Sequence, residues 1–188
     1  EFNSKVLADL AFLTIFCEDP TDMDGRDLIL LHILDEATEM RLAPVIPNKR
    51  VPAVKVGFTR WSEVFGFPAK LTTDLEGAIF SEDMRVWFER NGCELDPVVP
   101  QEGTRHTDFG QMNVQQQILR DAVHRVDDAC KEHDLQMTGE EVVAMAVWIL
   151  NSGYDKSGSC PSMRALGHIP RDASNSKSMT TSQMKDDH

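Results

Sequence analysis

The residues best suited to bind a transition metal are His124, Cys130 and His133, which fall within one predicted helix. Cys130 and His133 are three residues apart and share a helix face, whereas His124 lies more than two turns away. A structural zinc site needs four ligands, usually in two close pairs, and no second pair is evident. Cys130 also continues an apolar stripe, which a buried core thiol explains more simply. We therefore predict no metal site and no cofactor.

The acidic turn before Gly25 partly resembles a calcium-binding loop. If Gly25 is the loop glycine, Asp22 and Asp24 take the third and fifth positions. Pro20 and Leu31 then take the first and twelfth positions, where the loop needs an aspartate and a bidentate glutamate. Because two essential ligands are missing, the segment is interpreted as a helix-capping turn.

Sequence motifs that carry a catalytic nucleophile or a nucleotide are absent. The chain contains no GxSxG, Walker loop, GxGxxG or HExxH pattern. Its paired acids, such as Asp127-Asp128 and Glu140-Glu141, are neighbours in sequence and diverge on a helix, so they are expected on solvated faces. The sequence therefore predicts that the protein is not an enzyme.

The segment from residue 61 to residue 75 loosely fits a helix-turn-helix, with apolar residues on either side of Gly66. Asp74 and Glu76 occupy positions where base-reading side chains would be needed, and Pro68 stands where a capping Ser or Thr is usual. Simple packing of the aromatic side chains is the other interpretation. The bases that would contact nucleic acid in the first case are Lys49, Arg50, Arg60 and Lys70.

Composition and charge limit the class of protein. The chain has 188 residues, enough for one domain, and a formal net charge of -12, which disfavours indiscriminate binding to a phosphate backbone. No apolar run is long enough to span a bilayer. Four widely spaced cysteines without a CxxC pair indicate reduced thiols. We therefore expect a soluble protein without membrane contact, in an intracellular, cytoplasmic location.

The elements that would position such residues are predicted to be helices. Residues 4–17 and 24–42 are apolar on more than one side, which is typical of central helices or of helices shared with a second molecule. Residues 50–58 form a minor extended segment. Apolar residues recur at helical spacing over 113–133, and a capping box at Thr138 opens a buried helix to Leu150. These last two helices are predicted to pack as an antiparallel hairpin.

Shorter helices are predicted at 61–65, from the capping box at Thr73, and at 82–91 after Ser81. The fold class predicted is thus mainly α, a single-domain bundle of about five or six helices over residues 1–153. Residues 154–188 are rich in serine and predict a flexible tail.

The function predicted from these features is a non-catalytic protein–protein interaction or regulatory module. It would bind a protein partner or self-associate through the apolar helices. One alternative is a helix-turn-helix DNA-binding regulator using residues 61–80. Another is an acidic inhibitor that mimics nucleic acid. The candidate partner-binding residues are Leu7, Leu10, Phe12, Phe16, Leu30 and Ile33.

Overall fold

The computed structural model describes residues 1–17, 25–73, 79–97 and 106–168. At the centre of the fold is a mixed β-sheet, covered by helices on both faces. The strands are β1 (Lys5–Ile15), β2 (Arg26–Asp35), β3 (Arg41–Leu42), β4 (Val45–Ile46), β5 (Lys70–Thr73) and β6 (Glu94–Pro97). The helices are α1 (Val51–Phe65), α2 (Glu82–Arg90), α3 (His106–Glu132), α4 (Gly139–Ser152) and α5 (Pro161–Leu166). The prediction of an all-α bundle is therefore wrong.

The sheet has the strand order β3-β2-β1-β5-β6, and β4 also pairs with β2. β1 and β2 are antiparallel over their full length, whereas β5 runs parallel to β1 and β6 runs parallel to β5. Parallel neighbours need a crossover connection, and here helices supply it: α1 precedes β5, and α2 joins β5 to β6.

The two longest strands are the segments that the sequence pattern predicted to be helices. Nearly every apolar side chain of β1 and β2 is buried, because one face packs under α1 and α2 and the other under α3 and α4. A strand buried on both faces has a continuous apolar sequence instead of an alternating one. Such a run cannot be distinguished from a buried helix by periodicity, which explains the error.

α1 occupies the residues predicted to be an extended segment. Pro52 lies in the first turn of the helix, where its missing N–H removes no helical hydrogen bond. Val54, Phe58 and Trp61 recur at helical spacing and are buried against the sheet. Gly57 lets the helix approach closely, since a Cβ there would lie 2.7 Å from Cδ2 of Leu31.

The helix-turn-helix interpretation is also wrong. α1 ends at Phe65, as predicted, with Gly66 at a φ of 78°, but the chain then enters β5 instead of a second helix. β5 is a central strand, with Leu71, Thr72 and Thr73 all buried. Thr73, expected to cap a helix, is therefore the last residue of a strand, and the rest of that predicted helix begins outside the described residues.

The predictions of helices at α2, α3 and α4 are confirmed. α3 and α4 pack on one another, and Thr138 and Glu141 form the reciprocal hydrogen bonds of the predicted capping box. α2 begins after Ser81, whose side chain accepts a hydrogen bond from the Met84 N–H. In α4, the Asn151 side chain bonds both backbone groups of Arg41 in β3, at 3.0 Å to the N–H and 2.8 Å to the C=O.

Ordered structure continues beyond residue 153. Arg164 of α5 donates to the Thr38 carbonyl at 3.0 and 3.1 Å and forms ion pairs with Glu39 and Asp155. The proposed division of the chain at residue 153 stays a prediction, and residues 169–188 lie outside the described part. No helix within the described ranges is long and apolar enough to cross a membrane.

Candidate active site

Asp9 is an acidic residue in the middle of the apolar β1 strand. Its neighbours across the sheet are His32 of β2, directly opposite, and the C-terminal end of β5, where Thr73 pairs with Ala8. The Asp9 side chain is half-buried, and one carboxylate oxygen accepts a hydrogen bond from the Leu10 N–H at 2.7 Å. The sheet thus presents a carboxylate beside the end of a parallel strand, on the face covered by α3.

The second carboxylate oxygen of Asp9 contacts the side-chain amide of Gln116 in α3. The same amide nitrogen lies 3.4 Å from the Leu10 carbonyl, and Gln116 is buried. Gln115, the residue before it, instead accepts a hydrogen bond from the Arg41 guanidinium at 2.9 Å. Among the α3 side chains that the structure describes, Gln115 and Gln116 therefore contribute neutral amides to this face.

His32 and Arg41 form a buried polar layer beside Asp9, on the same face of the sheet. Burial lowers the pKa of His32 to about 3, with a further contribution from the positive charge of Arg41, so the imidazole is neutral. Burial also lowers the pKa of Arg41 to about 10, against the opposing effect of Glu39. Within the described part of the chain, both His32 ring nitrogens and two Arg41 nitrogens have no hydrogen-bond partner.

The donor chemistry of this face suits a hard cation better than a soft one. Carboxylate and amide oxygens are the ligands that Mg²⁺ and Ca²⁺ take in proteins. Asp9 is one such carboxylate, whereas Gln116 turns its amide nitrogen toward Asp9 and the Gln115 oxygen is bonded to Arg41. Among the described residues, however, no three His, Cys, Asp or Glu side chains are arranged so that they could hold a metal ion.

Most of the predicted partner-binding residues lie inside the sheet. Leu7, Leu10, Leu30 and Ile33 are buried by the protein's own helices, whereas Phe12 is 41% exposed and Phe16 is half-buried. A role for these six residues in partner binding stays a prediction, but the four leucine and isoleucine side chains already have their packing partners.

The predicted nucleic-acid-binding bases are not brought together with Asp9. Lys49 lies 4.3 Å from the ring centroid of Phe12, three residues beyond Asp9 and hence on the opposite face of β1. Arg50 and Arg60 are exposed before and within α1. Lys70 is paired with Asp96 at 2.9 Å, which raises its pKa. Their role in nucleic-acid binding also stays a prediction.

The candidate metal residues considered in the sequence have other environments. His124 and His133 are exposed on α3, whereas Cys130 is buried, with its sulfur 3.3 Å from that of Met137. Asp22 lies outside the described residues, as does Asp24.

Asp9 was missed because the surrounding run was interpreted as a broad apolar helix. A single carboxylate within an otherwise apolar and deeply buried segment is costly unless it has a partner or a function. The isolated carboxylate of Asp9 was therefore visible in the sequence. It would have indicated a functional site only if β1 had been recognised as a central strand.

Comparisons with known proteins give a result only for structure. No family model matches the sequence, and no curated protein matches it. The catalytic core domain of HTLV-2 integrase, in complex with magnesium in a trimeric form, is 13% identical, with a TM-score of 0.68 over 87% of this chain and 96% of that one. The fold is that of an integrase catalytic core.

Further structures show the same integrase-like fold. The catalytic core domain of BIV integrase is 14% identical, with a TM-score of 0.69 over 88% of this chain and 95% of that one. A simian T-cell lymphotropic virus intasome in complex with the PP2A regulatory subunit B56 gamma includes a chain that is 12% identical, with a TM-score of 0.71 over 90% of this chain and 58% of that one. At these identities the likeness concerns the fold.

The integrase-like fold overturns the functional predictions made from the sequence. The predicted non-catalytic interaction module and its two alternatives, a helix-turn-helix regulator and an acidic nucleic-acid mimic, are wrong, because the fold is mixed α/β and is shared with catalytic core domains. The prediction that the protein is not an enzyme is also contradicted, because the structures that share its fold are catalytic core domains.

Proposed function

We propose that this chain catalyses phosphoryl transfer on nucleic acid with a divalent metal ion, and that Asp9 is a ligand of that metal. The observation that carries the proposal is the position of Asp9, a half-buried carboxylate on the central strand beside β5, within a fold shared with a magnesium-bound integrase core. A carboxylate held on a rigid strand keeps a fixed geometry, which catalysis by positioning requires.

A second carboxylate is proposed at Asp74, the residue that follows β5 in the sequence. The last described residue of β5, Thr73, pairs with Ala8, the residue before Asp9. Magnesium is commonly bound through one or two carboxylates together with substrate phosphates. Asp9 together with the aspartate that follows β5 in the sequence would satisfy that requirement. Asp74 lies outside the described residues, so its role rests on the register of the strands before it.

When bound, the metal would stabilise the negative charge that develops on the phosphoryl oxygens and would orient the attacking group. The residues of this chain supply the fixed surroundings. Asp9 provides the carboxylate, and the Gln116 amide fixes the direction of that side chain. His32, neutral and fully buried beside Asp9 on the same face of the sheet, adds no charge there.

The test is a cleavage and strand-transfer assay with labelled DNA and RNA oligonucleotides in Mg²⁺ or Mn²⁺, comparing the wild-type protein with Asp9→Asn. We expect metal-dependent activity that falls by about a hundredfold or more in the variant, beyond the loss typical of an outer-shell change. Asp121→Asn, an exposed acid on α3, is the matched control and should retain activity. Equal rates for wild type and Asp9→Asn would refute the proposal.

Self-association is a second proposal, because the described structure leaves apolar side chains of α4 on the surface. Met145, Trp148 and Ile149 are 42%, 39% and 44% exposed and lie at helical spacing on one side of α4. Met145 and Ile149 also line a groove of about 520 Å³ between α3 and α4. Dimeric and trimeric forms of the HTLV-2 integrase core support assembly for this fold.

An intracellular location is kept as a proposal. All four cysteines are buried free thiols, and none forms a disulfide bond with another. Free thiols are typical of a reducing compartment.

A further inference from the structure

Residues 40–62 are the longest stretch of this acidic chain without an aspartate or glutamate, and they contain five basic residues. Arg41 is buried under α3, and Arg60 lines a groove together with Glu63 and Glu140. The three that remain are Lys49, Arg50 and Lys55. Within the part of the chain that the structure describes, none of these three forms an ion pair with a carboxylate. Such a cation can neutralise a phosphate of another molecule without giving up an internal ion pair.

These three cations surround the beginning of α1, next to an exposed aromatic side chain. Lys49 and Arg50 are exposed and immediately precede the helix, and Lys55 lies in its second turn. Lys49 Nζ lies 4.3 Å from the ring centroid of Phe12 on β1, which is 41% exposed. Lys55 Nζ lies 6.0 Å from the ring centroid of Trp87 on α2. Positive charge and an accessible ring thus occur together, and we name Phe12, Lys49, Arg50 and Lys55 the α1 basic surface.

We propose that the α1 basic surface binds a single-stranded nucleic acid, an inference that rests on the proposed function for its class of partner. Proteins that bind single strands without sequence preference combine cationic side chains, which follow the phosphates, with aromatic rings on which nucleobases stack. The three cations supply the first part, and Phe12 supplies the second. A duplex offers phosphates but keeps its nucleobases stacked on one another, so the Phe12 ring contributes to binding of the single strand alone.

The α1 basic surface lies outside the candidate active site. Phe12 follows Asp9 by three residues, so it is about 10 Å further along β1 and on the opposite face of the sheet. A strand held at Phe12 leaves the Asp9 face uncovered, so binding and chemistry can be removed by separate substitutions. The net charge of -12 does not prevent this contact, because charges further away than a Debye length of about 8 Å are largely screened.

The test measures binding without a divalent metal, by fluorescence anisotropy of labelled DNA oligonucleotides of about 30 nucleotides in EDTA. Lys49→Glu/Arg50→Glu should lower the affinity of the full chain for the single strand about tenfold or more, because two phosphate contacts are replaced by repulsion. Arg125→Glu/Lys156→Glu makes the same change of net charge at exposed positions outside the surface and should stay within about threefold of wild type. The proposal is wrong if wild type does not bind the single strand, or if the two charge-reversed proteins bind it equally.

Milder variants test the phosphate contacts and the Phe12 ring separately. Lys49→Ala/Arg50→Ala should reduce the slope of log affinity against log salt by about 1.4, since each phosphate contact with a single strand contributes about 0.7. Phe12→Leu keeps an apolar side chain without the ring and should weaken single-strand binding about fivefold while leaving duplex binding unchanged. Phe12→Trp should retain the wild-type affinity. Equal effects of Phe12→Leu on the single strand and the duplex would contradict the assignment to single strands.

Activity and binding together separate this inference from the proposed function. Asp9→Asn, measured without metal, should bind the single strand as wild type does. If wild type binds the single strand through the α1 basic surface but shows no metal-dependent cleavage or strand transfer, the proposed function fails and this inference stands. If wild type is active while Lys49→Glu/Arg50→Glu binds the single strand as wild type does, only the role assigned to the α1 basic surface fails.

Discussion

Asp127 shows how one buried carboxylate joins the sheet to α3. It is 1% exposed and accepts hydrogen bonds from the Phe16 and Cys17 N–H groups at the end of β1, at 3.0 and 2.8 Å. It also pairs with Lys131 at 2.7 Å. These contacts satisfy backbone donors that would otherwise have no partner where the strand ends, so the charge serves the fold and not the proposed chemistry.

We predict that Asp127→Asn lowers the free energy of unfolding by about 1.5–3 kcal/mol at pH 7, the usual range for hydrogen bonds to a charged group. Asp128→Asn, an exposed neighbour whose side chain is 76% accessible, should change it by less than about 0.5 kcal/mol. Urea unfolding monitored by tryptophan fluorescence measures both. Equal effects of the two substitutions would show that the Asp127 contacts contribute nothing specific.

The Asp127 contribution should depend on pH. Burial acts to raise the pKa of this carboxyl, but the Lys131 pair and the hydrogen bonds from Phe16 and Cys17 outweigh it and hold the pKa below its ordinary value of 3.8. A depressed pKa in the folded state stabilises the protein above the unfolded value. The difference between wild type and Asp127→Asn should therefore be complete above about pH 4 and shrink as the pH falls further.

At the scale of elements, the reliability of the sequence patterns depended on solvent exposure. α3 was predicted because its exposed face reveals the helical period, whereas α4, expected to be buried throughout, was predicted from its capping box. β1 and β2 have no wet face over most of their length, so neither period was visible. α1 was obscured by Pro52 and by β-branched valines, whose local preference is overridden by packing on the sheet.

The candidate site was hidden for the same reason. Asp9 is brought beside β5 by a parallel pairing that spans about sixty residues of sequence, and its amide neighbour Gln116 comes from a still more distant helix. Sequence spacing records only local neighbours, so a site assembled across the sheet could be recognised only after β1 was known to be a strand.

The capping box of α4 gives a prediction at the scale of one element. Thr138 accepts a hydrogen bond from the Glu141 N–H, and the Glu141 carboxylate accepts one from the Thr138 N–H at 2.8 Å. Thr138→Ala removes the cap and should lower the free energy of unfolding by about 1 kcal/mol. Thr59→Ala, in the exposed interior of α1, is the control and should have a smaller effect. Chemical denaturation followed by circular dichroism measures the difference.

At the scale of the whole molecule, the exposed apolar side of α4 is the surface through which we expect copies of the protein to associate. If Trp148 lies in a contact between copies, Trp148→Glu should convert the protein to a monomer, because it would bury an unpaired charge in the interface. Val56→Glu, on the 58% exposed valine of α1, is the control and should leave the oligomer intact. Multi-angle light scattering over a dilution series reads out the mass, and a wild-type protein that is monomeric at every concentration would rule out this interface.

The Asn151 amide, bonded to both the N–H and the C=O of Arg41, takes the place that an additional strand would occupy. An outer strand with free backbone groups is a template on which another polypeptide can extend the sheet. Here Asn151, in the last turn of α4, occupies the free backbone groups of Arg41 in β3. At the β3 edge, addition of a strand from another copy is therefore disfavoured, and loss of the amide would expose the Arg41 backbone groups to such pairing.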